Sequence, residues 1–417
     1  MIVTQGDIGD SLFIVKSGTV TVTKNGLALR TIGRQGFFGE RSILLKEKRT
    51  ASVVANGSVE CWELYQRAFL DVIDDGISAT LAKRMELQDD SVTLDQLVLV
   101  KELGKGMSGS VFLVVHKEKR SLYAIKTVTR RTVARLDCGR NLEHERELLL
   151  QLDHAFIMKL VKTFKDSRRV YFLLEFVQGQ DLFDAIRVLG LLKDTQCAFY
   201  VAALLCVLEH LHQAGIVYRD LKPENVMLDS QGYPKLIDFG TAKKMEGRTF
   251  TIVGTPHYMA PEVVIGRGYG HLVDVWSLGI MLYEFVCGTV PFGENQEDPY
   301  KVYDEVLKQP LRFNSVMPKS SALRVFLESL LHKNPAFRPS IPRLKQHEWF
   351  SAFDWEKLYL KQLPPPMLPK IRDLSAEVEA VLAEGKTLCG VLEEADLAAL
   401  EEGQQEQPES DGWDKDF

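Results

Sequence analysis

Absences narrow this 417-residue chain before any motif does. Its six cysteines (Cys61, Cys138, Cys197, Cys206, Cys287 and Cys389) include no C-x-x-C pair, which argues against thiolate metal sites and against a disulfide framework. Neither a secretion signal nor a myristoylation start is read at Met1-Ile2, and with that cysteine pattern the expected setting is reducing and cytoplasmic. The most apolar run, Cys197 to Leu208, covers twelve residues, too short to span a membrane and suited to a buried helix. Membrane association is not indicated. There is no basic excess either: 51 Lys and Arg stand against 57 Asp and Glu, net charge -6, so no nucleic-acid partner is expected. The imbalance that exists is local, because from Arg372 onward 14 residues are acidic and 3 basic. An acidic tail follows a mildly basic body. At 45% hydrophobic residues the chain can bury the cores of two or three domains.

What is present concentrates in Tyr218-Arg219-Asp220-Leu221-Lys222-Pro223-Glu224-Asn225. In-line phosphoryl transfer to a hydroxyl needs a carboxylate to orient and accept the proton, which suits Asp220. Asn225 can hold a magnesium ion, and Lys222 between them can neutralise charge on the phosphoryl group. Upstream, Gly104, Gly106 and Gly109 lie between the strand-like runs Val98–Val100 and Val111–Val115. A Gly-rich hairpin there can fold over phosphates, and the strand after it argues against a dinucleotide turn, which a helix would follow. Ala124-Ile125-Lys126 comes next, with Glu145 19 residues beyond the lysine. Asp238-Phe239-Gly240 follows Asp220 by 18 residues, and Ala260-Pro261-Glu262 closes the series.

In this order the motifs resemble the catalytic domain of AGC-group protein kinases and, within that group, cGMP-dependent protein kinases; Tyr218 in the usual histidine place fits that branch. The resemblance implies a two-lobed fold with ATP and Mg2+ as cofactors. It makes Asp220 the base, Lys126 the ligand of the ATP α- and β-phosphates with Glu145 as its partner, and Asn225 and Asp238 the metal ligands. ATP would be held by Gly104, Gly106, Gly109 and Val111, and by backbone groups of Glu175 and Val177, with Leu174 as gatekeeper. Thr251 matches the activation-loop phosphosite, its phosphate bound by Arg219 and Lys243, and Glu262 pairs with Arg338. Asp181, Glu224 and Glu284 match positions that read basic residues upstream of the target Ser or Thr.

Near the start, Gly39-Glu40-Arg41 and Arg49-Thr50 stand among short strand-like runs with Gly turns. A glycine lets amides approach a phosphate, a carboxylate can take a ribose hydroxyl, and an arginine can fork onto a phosphate. The cassette resembles that of cyclic-nucleotide-binding domains, which implies Glu40 on the ribose, Arg49 on the cyclic phosphate and Thr50 on guanine, hence cGMP as allosteric ligand. Residues from about Tyr65 to Asp90 read as a lid and connector helix, with Phe69, Val72, Ile73, Leu81 and Met85 as apolar positions. Gln88 and Asp89, with Arg41, are either nucleotide caps or a solvated helix end. Family members carry more structure before this point, so an N-terminal truncation, an open sheet edge and a weak cGMP response are expected.

The tail offers His347-Glu348-Trp349-Phe350, Pro364-Pro365-Pro366 and Gly412-Trp413-Asp414-Lys415-Asp416-Phe417, similar to the tail that wraps the small lobe in this group. It shows no F-D-x-Y tether, and Ser375 to Gln405 reads as helix. The expected fold class is α+β: a partial cyclic-nucleotide-binding β-roll (1–90), a two-lobed kinase domain (98–350) and a tail (351–417). The expected function is transfer of the ATP γ-phosphoryl group to Ser or Thr in basic contexts, regulated by cGMP. A cAMP-responsive kinase, a constitutively active fragment and an inactive binding module are the alternatives.

Overall fold

The computed structural model describes all residues except 35, 45–46, 73–86, 88–90, 107–108, 314–320, 402–412 and 416. The chain divides into two compact units, Met1–Val92 and Thr93–Phe417.

The first unit holds β1 (Ser11–Ser17), β2 (Val20–Lys24), β3 (Leu27–Ile32), β4 (Phe37–Phe38), α1 (Glu40–Leu44), β5 (Ser52–Ala55), β6 (Glu60–Tyr65) and α2 (Gln66–Val72). They form two antiparallel three-stranded sheets, ordered β4-β1-β6 and β3-β2-β5. Asn25-Gly26, with φ of 51° and 83°, makes the β2–β3 turn, where both central residues need positive φ. Alternating valines, Val15, Val20, Val22 and Val53, join Ile32 and Phe38 in the core. The edge expected to be open carries an isolated bridge: Val3 pairs with Val53, and Ile2 N donates to Val53 O at 2.7 Å. Of the expected lid helix, α2 is seen, whereas Ile73, Leu81, Met85, Gln88 and Asp89 lie outside the described residues. Arg41 pairs with Glu47 at 2.9 Å.

In the second unit, β7 (Leu97–Lys105), β8 (Ser110–His116), β9 (Leu122–Thr129), β10 (Leu160–Lys165) and β11 (Arg169–Glu175) form one antiparallel sheet, ordered β10-β11-β9-β8-β7. Helices α3 (Arg130–Leu136) and α4 (Gly139–Gln151) separate β9 from β10. After β11 come β12 (Gln180–Asp181), α5 (Leu182–Leu189), α6 (Asp194–Gln213), β13 (Ile216–Val217), β14 (Val226–Leu228), β15 (Pro234–Leu236) and β16 (Lys243–Lys244). The twelve-residue apolar run lies in α6 and is buried throughout, as a helix apolar on all faces must be. Next are α7 (Pro261–Ile265), α8 (Leu272–Cys287), α9 (Pro299–Lys308), α10 (Ala322–Leu330) and α11 (Ile341–Lys345). Against α8, Arg338 makes a doubly hydrogen-bonded pair with Glu262 at 2.6 and 2.8 Å, the bridge expected from sequence. No described helix is long and apolar enough to cross a membrane.

The tail crosses the whole unit. It carries α12 (Trp355–Tyr359), α13 (Ser375–Glu384) and α14 (Leu388–Glu401). Lys361 Nζ meets Asp229 Oδ2 at 2.6 Å, Tyr233 OH donates to Leu363 O at 2.5 Å, and Gln178 Nε2 donates to Arg372 O at 2.9 Å. The single helix expected from Ser375 to Gln405 is two helices, because Gly385 takes φ 70° and closes α13; such a left-handed residue ends a helix. Residues 402–405 lie outside the described set. Further on, Asp414 pairs with Arg130 at 2.5 Å, and Phe417 meets Phe172 edge to face at 5.3 Å.

Candidate functional site

Lys126 projects from β9 and Glu145 from α4, and they meet at 2.7 and 2.9 Å. Burial by itself would lower the pKa of Lys126, but the charges of Glu145 and Asp238 and the hydrogen bond to Glu145 outweigh it. The ammonium is therefore held above its ordinary value. Val111 on β8 lies opposite Lys126 in the sheet. Asp238 is turned toward the same place: a Cβ on Gly240 would sit 3.3 Å from Asp238 Oδ1 and 3.7 Å from Glu145 Oε2.

The catalytic-loop candidate lies between β13 and β14 and is fixed from below. Asp274 of α8, fully buried, accepts the backbone N–H of Tyr218 at 3.0 Å and of Arg219 at 2.9 Å, with His212 Nε2 at 2.8 Å. Those bonds hold Arg219 at φ 75°, a conformation that costs energy in a non-glycine residue and persists only when its surroundings dictate it. The result is a preset Asp220. Its Oδ1 accepts from Thr255 N at 3.0 Å and Thr255 Oγ1 at 2.7 Å, and its Oδ2 from Asn225 Nδ2 at 3.0 Å. Lys222 Nζ lies 3.0 Å from Asp220 Oδ2 and donates to Thr255 Oγ1 at 2.7 Å. Asn225, its amide nitrogen committed to Asp220, keeps its oxygen for another partner. One amide oxygen and the Asp238 carboxylate suit Mg2+, which takes few protein ligands and completes its octahedron with phosphate and water.

At the end of β11, Leu174 and Val177 are buried. Glu175 donates its N–H to Lys159 O at 2.8 Å, and its carboxylate accepts from Lys235 Nζ at 2.7 Å. Its side chain is thereby held by Lys235 and its backbone N–H by Lys159.

In the first unit Gly39 has φ 95° and leads into α1, where Glu40 is buried. Arg49 is only 8% exposed, and its described hydrogen bonds reach uncharged oxygens: Gly39 O at 2.9 Å, Ser42 Oγ at 2.7 Å and Ser11 O at 2.7 Å. A Cβ on Gly9 or Gly39 would fall 2.1 or 2.4 Å from the guanidinium, so both glycines make room for it. Burial lowers the Arg49 pKa, partly offset by the fields of Asp10, Glu40, Glu63 and Asp7. Thr50 beside it is exposed.

Two family models match the chain: the protein kinase domain over residues 97–350 and the cyclic nucleotide-binding domain over residues 1–75. The chain belongs to the protein kinase family. It is 40% identical to the cGMP-dependent protein kinase of Plasmodium berghei (strain Anka) over 422 residues, covering 100% of this chain and 48% of that protein. Identity is 43% to the cGMP-dependent protein kinase of Toxoplasma gondii and 42% to that of Eimeria tenella, each covering 100% of this chain and 41% of the relative. The kinase chain thus spans less than half the length of these curated relatives.

Elsewhere in the kinase unit the expected groupings are realised unevenly. Thr251 is exposed, and its carbonyl accepts from Tyr269 OH at 2.6 Å. The two cations expected around it are engaged elsewhere: Arg219 Nε donates to Thr241 O at 2.5 Å and Lys243 Nζ to Thr249 Oγ1 at 3.3 Å. Arg219 Nη1 is buried without a partner among the described residues. Glu284 accepts from Tyr258 OH at 2.7 Å; its pKa is raised by burial first and then by Glu224 and Glu294. Glu224 and Glu284 therefore share one electrostatic group with Glu294, which sequence reading missed. Asp181 is used differently, its carboxylate capping α5 through Asp184 N at 2.7 Å. Thr255 and Asp274 were also missed as site residues. Their partners are 35 and 55 residues away along the chain.

Proposed function

We propose that this chain is a cGMP-regulated serine/threonine protein kinase. The preset Asp220 carries this reading: a carboxylate held by Thr255, Asn225 and Lys222 is ready to orient a hydroxyl and take its proton before substrate arrives. Lys126, fixed by Glu145, binds the α- and β-phosphates of ATP. Gly104, Gly106, Gly109 and Val111 cover the nucleotide, and the backbone of Glu175 and Val177 meets its base. Asn225 and Asp238 would hold Mg2+, which when bound would neutralise charge on the transferring phosphoryl group. Lys222 adds a cation beside the base. Glu224 and Glu284 favour substrates with basic residues upstream of the hydroxyl, with Asp181 as a further acceptor.

In the first unit Gly39, Glu40, Arg49 and Thr50 hold cGMP, with the cyclic phosphate on Arg49. Phosphorylation of Thr251 draws Arg219, whose Nη1 has no partner among the described residues, into a charged network next to Asp220. The test is phosphorylation of an Arg-containing Ser peptide with Mg-ATP, against the same peptide with Arg replaced by Ala. Activity on the first, reduced at least ~100-fold by Asp220→Asn, supports the reading; equal turnover of both peptides removes the basic preference, and full turnover by the variant removes the assigned base. A cGMP titration of the same assay tests regulation.

A further inference from the structure

Glu145 has a neighbour on α4 that the phosphoryl-transfer chemistry does not use. His144 Nε2 lies 3.3 Å from the backbone nitrogen of Lys244 on β16. A backbone N–H can only donate, so this ring nitrogen accepts, which makes the imidazole neutral with its proton on Nδ1. Seven positions on, along the same side of α4, Gln151 Oε1 accepts from Lys244 Nζ at 3.2 Å. Both bonds end on one residue of β16. That strand pairs with β13, Ile216 opposite Lys244 and Val217 opposite Lys243, and Met245 N adds a bond to Gly215 O at 2.8 Å. β13 runs directly into Tyr218-Arg219-Asp220, and β16 follows closely on Asp238-Phe239-Gly240. Adjacent residues of α4 thus serve two ends of the site: Glu145 holds Lys126, and His144 holds the strand that follows Asp238.

We propose that His144 is a proton-sensitive latch and a positioning residue, which fastens α4 to β16 while neutral and releases it when protonated. This rests on the reading of the cleft as an ATP site. A second proton turns Nε2 into a donor facing another donor, so the bond to Lys244 cannot survive it. Because Glu145 is the next residue, a shift of α4 at His144 carries with it the carboxylate that fixes Lys126 beside Asp238. Asp220 is held separately, by Thr255, Asn225 and Lys222. The His144 side chain is 36% exposed, so it exchanges protons with solvent without unfolding. The charges that decide when it does so come from both elements. On α4 they are Glu147, whose Oε2 stands 3.8 Å from Nδ1, and Arg140, one turn earlier; on β16 they are Lys243 and Lys244.

The experiment measures the full chain from about pH 8 to about pH 5.5, across the range in which imidazoles gain a proton. His144→Gln keeps an acceptor oxygen near the Nε2 place and does not titrate. Its kcat/KM for ATP should match the parent within about twofold at high pH and exceed it about fivefold in acid, the effect of one hydrogen bond. His154 and every other titrating group are common to both proteins, so the ratio isolates the ring. His144→Leu removes the acceptor and should run about fivefold below the parent at high pH, with faster hydrogen exchange at the Lys244 amide. Peptide KM should stay within about twofold throughout. Should His144→Leu fail to fold, His144→Ala carries the same arm. Parallel pH profiles of the parent and His144→Gln would overturn the latch. So would faster Lys244 exchange with parental kcat/KM, or a His144→Gln variant as impaired at high pH as His144→Leu. A parent protein that neither binds ATP nor turns over peptide would instead remove the kinase reading beneath it.

Discussion

The two units treat their buried cations in opposite ways. In the kinase unit Lys126 faces Glu145, Arg338 faces Glu262 and Lys235 faces Glu175, each in direct contact with a carboxylate. In the first unit Arg49 is also buried, but its described hydrogen bonds end on two carbonyls and a hydroxyl, and the nearby carboxylates act on it through their field. A charge neutralised within the chain holds geometry; a charge held by dipoles still gains from an anion. The charges of the kinase cleft are therefore balanced within the chain, whereas in the first unit part of the balance is left open to an anion.

Four measurements can break or sharpen that contrast, the largest effect first. Lys126→Met removes the proposed phosphate anchor and takes from Glu145 its Lys126 contact; turnover should fall by at least ~100-fold in a peptide assay, and parental activity would end its assigned role. Arg338→Ala strands the buried Glu262 carboxylate and should cost about 3–5 kcal/mol of kinase-unit stability in denaturant. Adding Glu262→Gln should recover part of that loss, and no recovery would mean that packing, not charge, held the site. Arg49→Ala should weaken cGMP binding by about 10- to 100-fold in calorimetry, because it removes charge-assisted bonds worth roughly 1.5–3 kcal/mol. Arg49→Lys should rescue little, since the fork geometry is lost; tight binding by either variant would place the phosphate elsewhere.

The smallest effect is set by pH. All nine histidines lie in the kinase unit. Burial, then the positive charges of His210 and Lys235, push the His154 pKa down from 6.5 to about 3. Between these values the unfolded chain binds a proton that the folded one refuses, so acidification favours unfolding. From pH 6.5 to 5 this amounts to roughly 2 kcal/mol, lost from the kinase unit alone. Hydrogen exchange should show this loss in the second unit and not in the first, and His154→Gln should flatten it; an equal loss in both units would contradict the assignment.

Much of the site was legible because phosphoryl transfer asks for few residue types at fixed spacing. Lys126, Glu145, Asp220, Asn225 and Asp238 could be read in order, and the pairing of Glu262 with Arg338 followed from position in the pattern. Thr255 could not be read so, because its contact with Asp220 depends on how the activation segment folds back. Glu294 gave no signal either: its place beside Glu284 is made by the loop after α8. In the first unit Gly39 and Arg49 stood out, but Gly9, Ser11 and Ser42, which shape the arginine's seat, did not.

Alone, the sequence determined most element types, the buried helix around Cys197–Leu208 and which residue types stand in the catalytic-loop candidate, because these depend on local backbone preference and on the order of residues along the chain. Tertiary structure decided which groups meet. Asp274 beneath Arg219 and Asp414 on Arg130 join segments separated by 55 and 284 positions. Such contacts arise only when a whole apolar core closes, and no local preference along the chain encodes them.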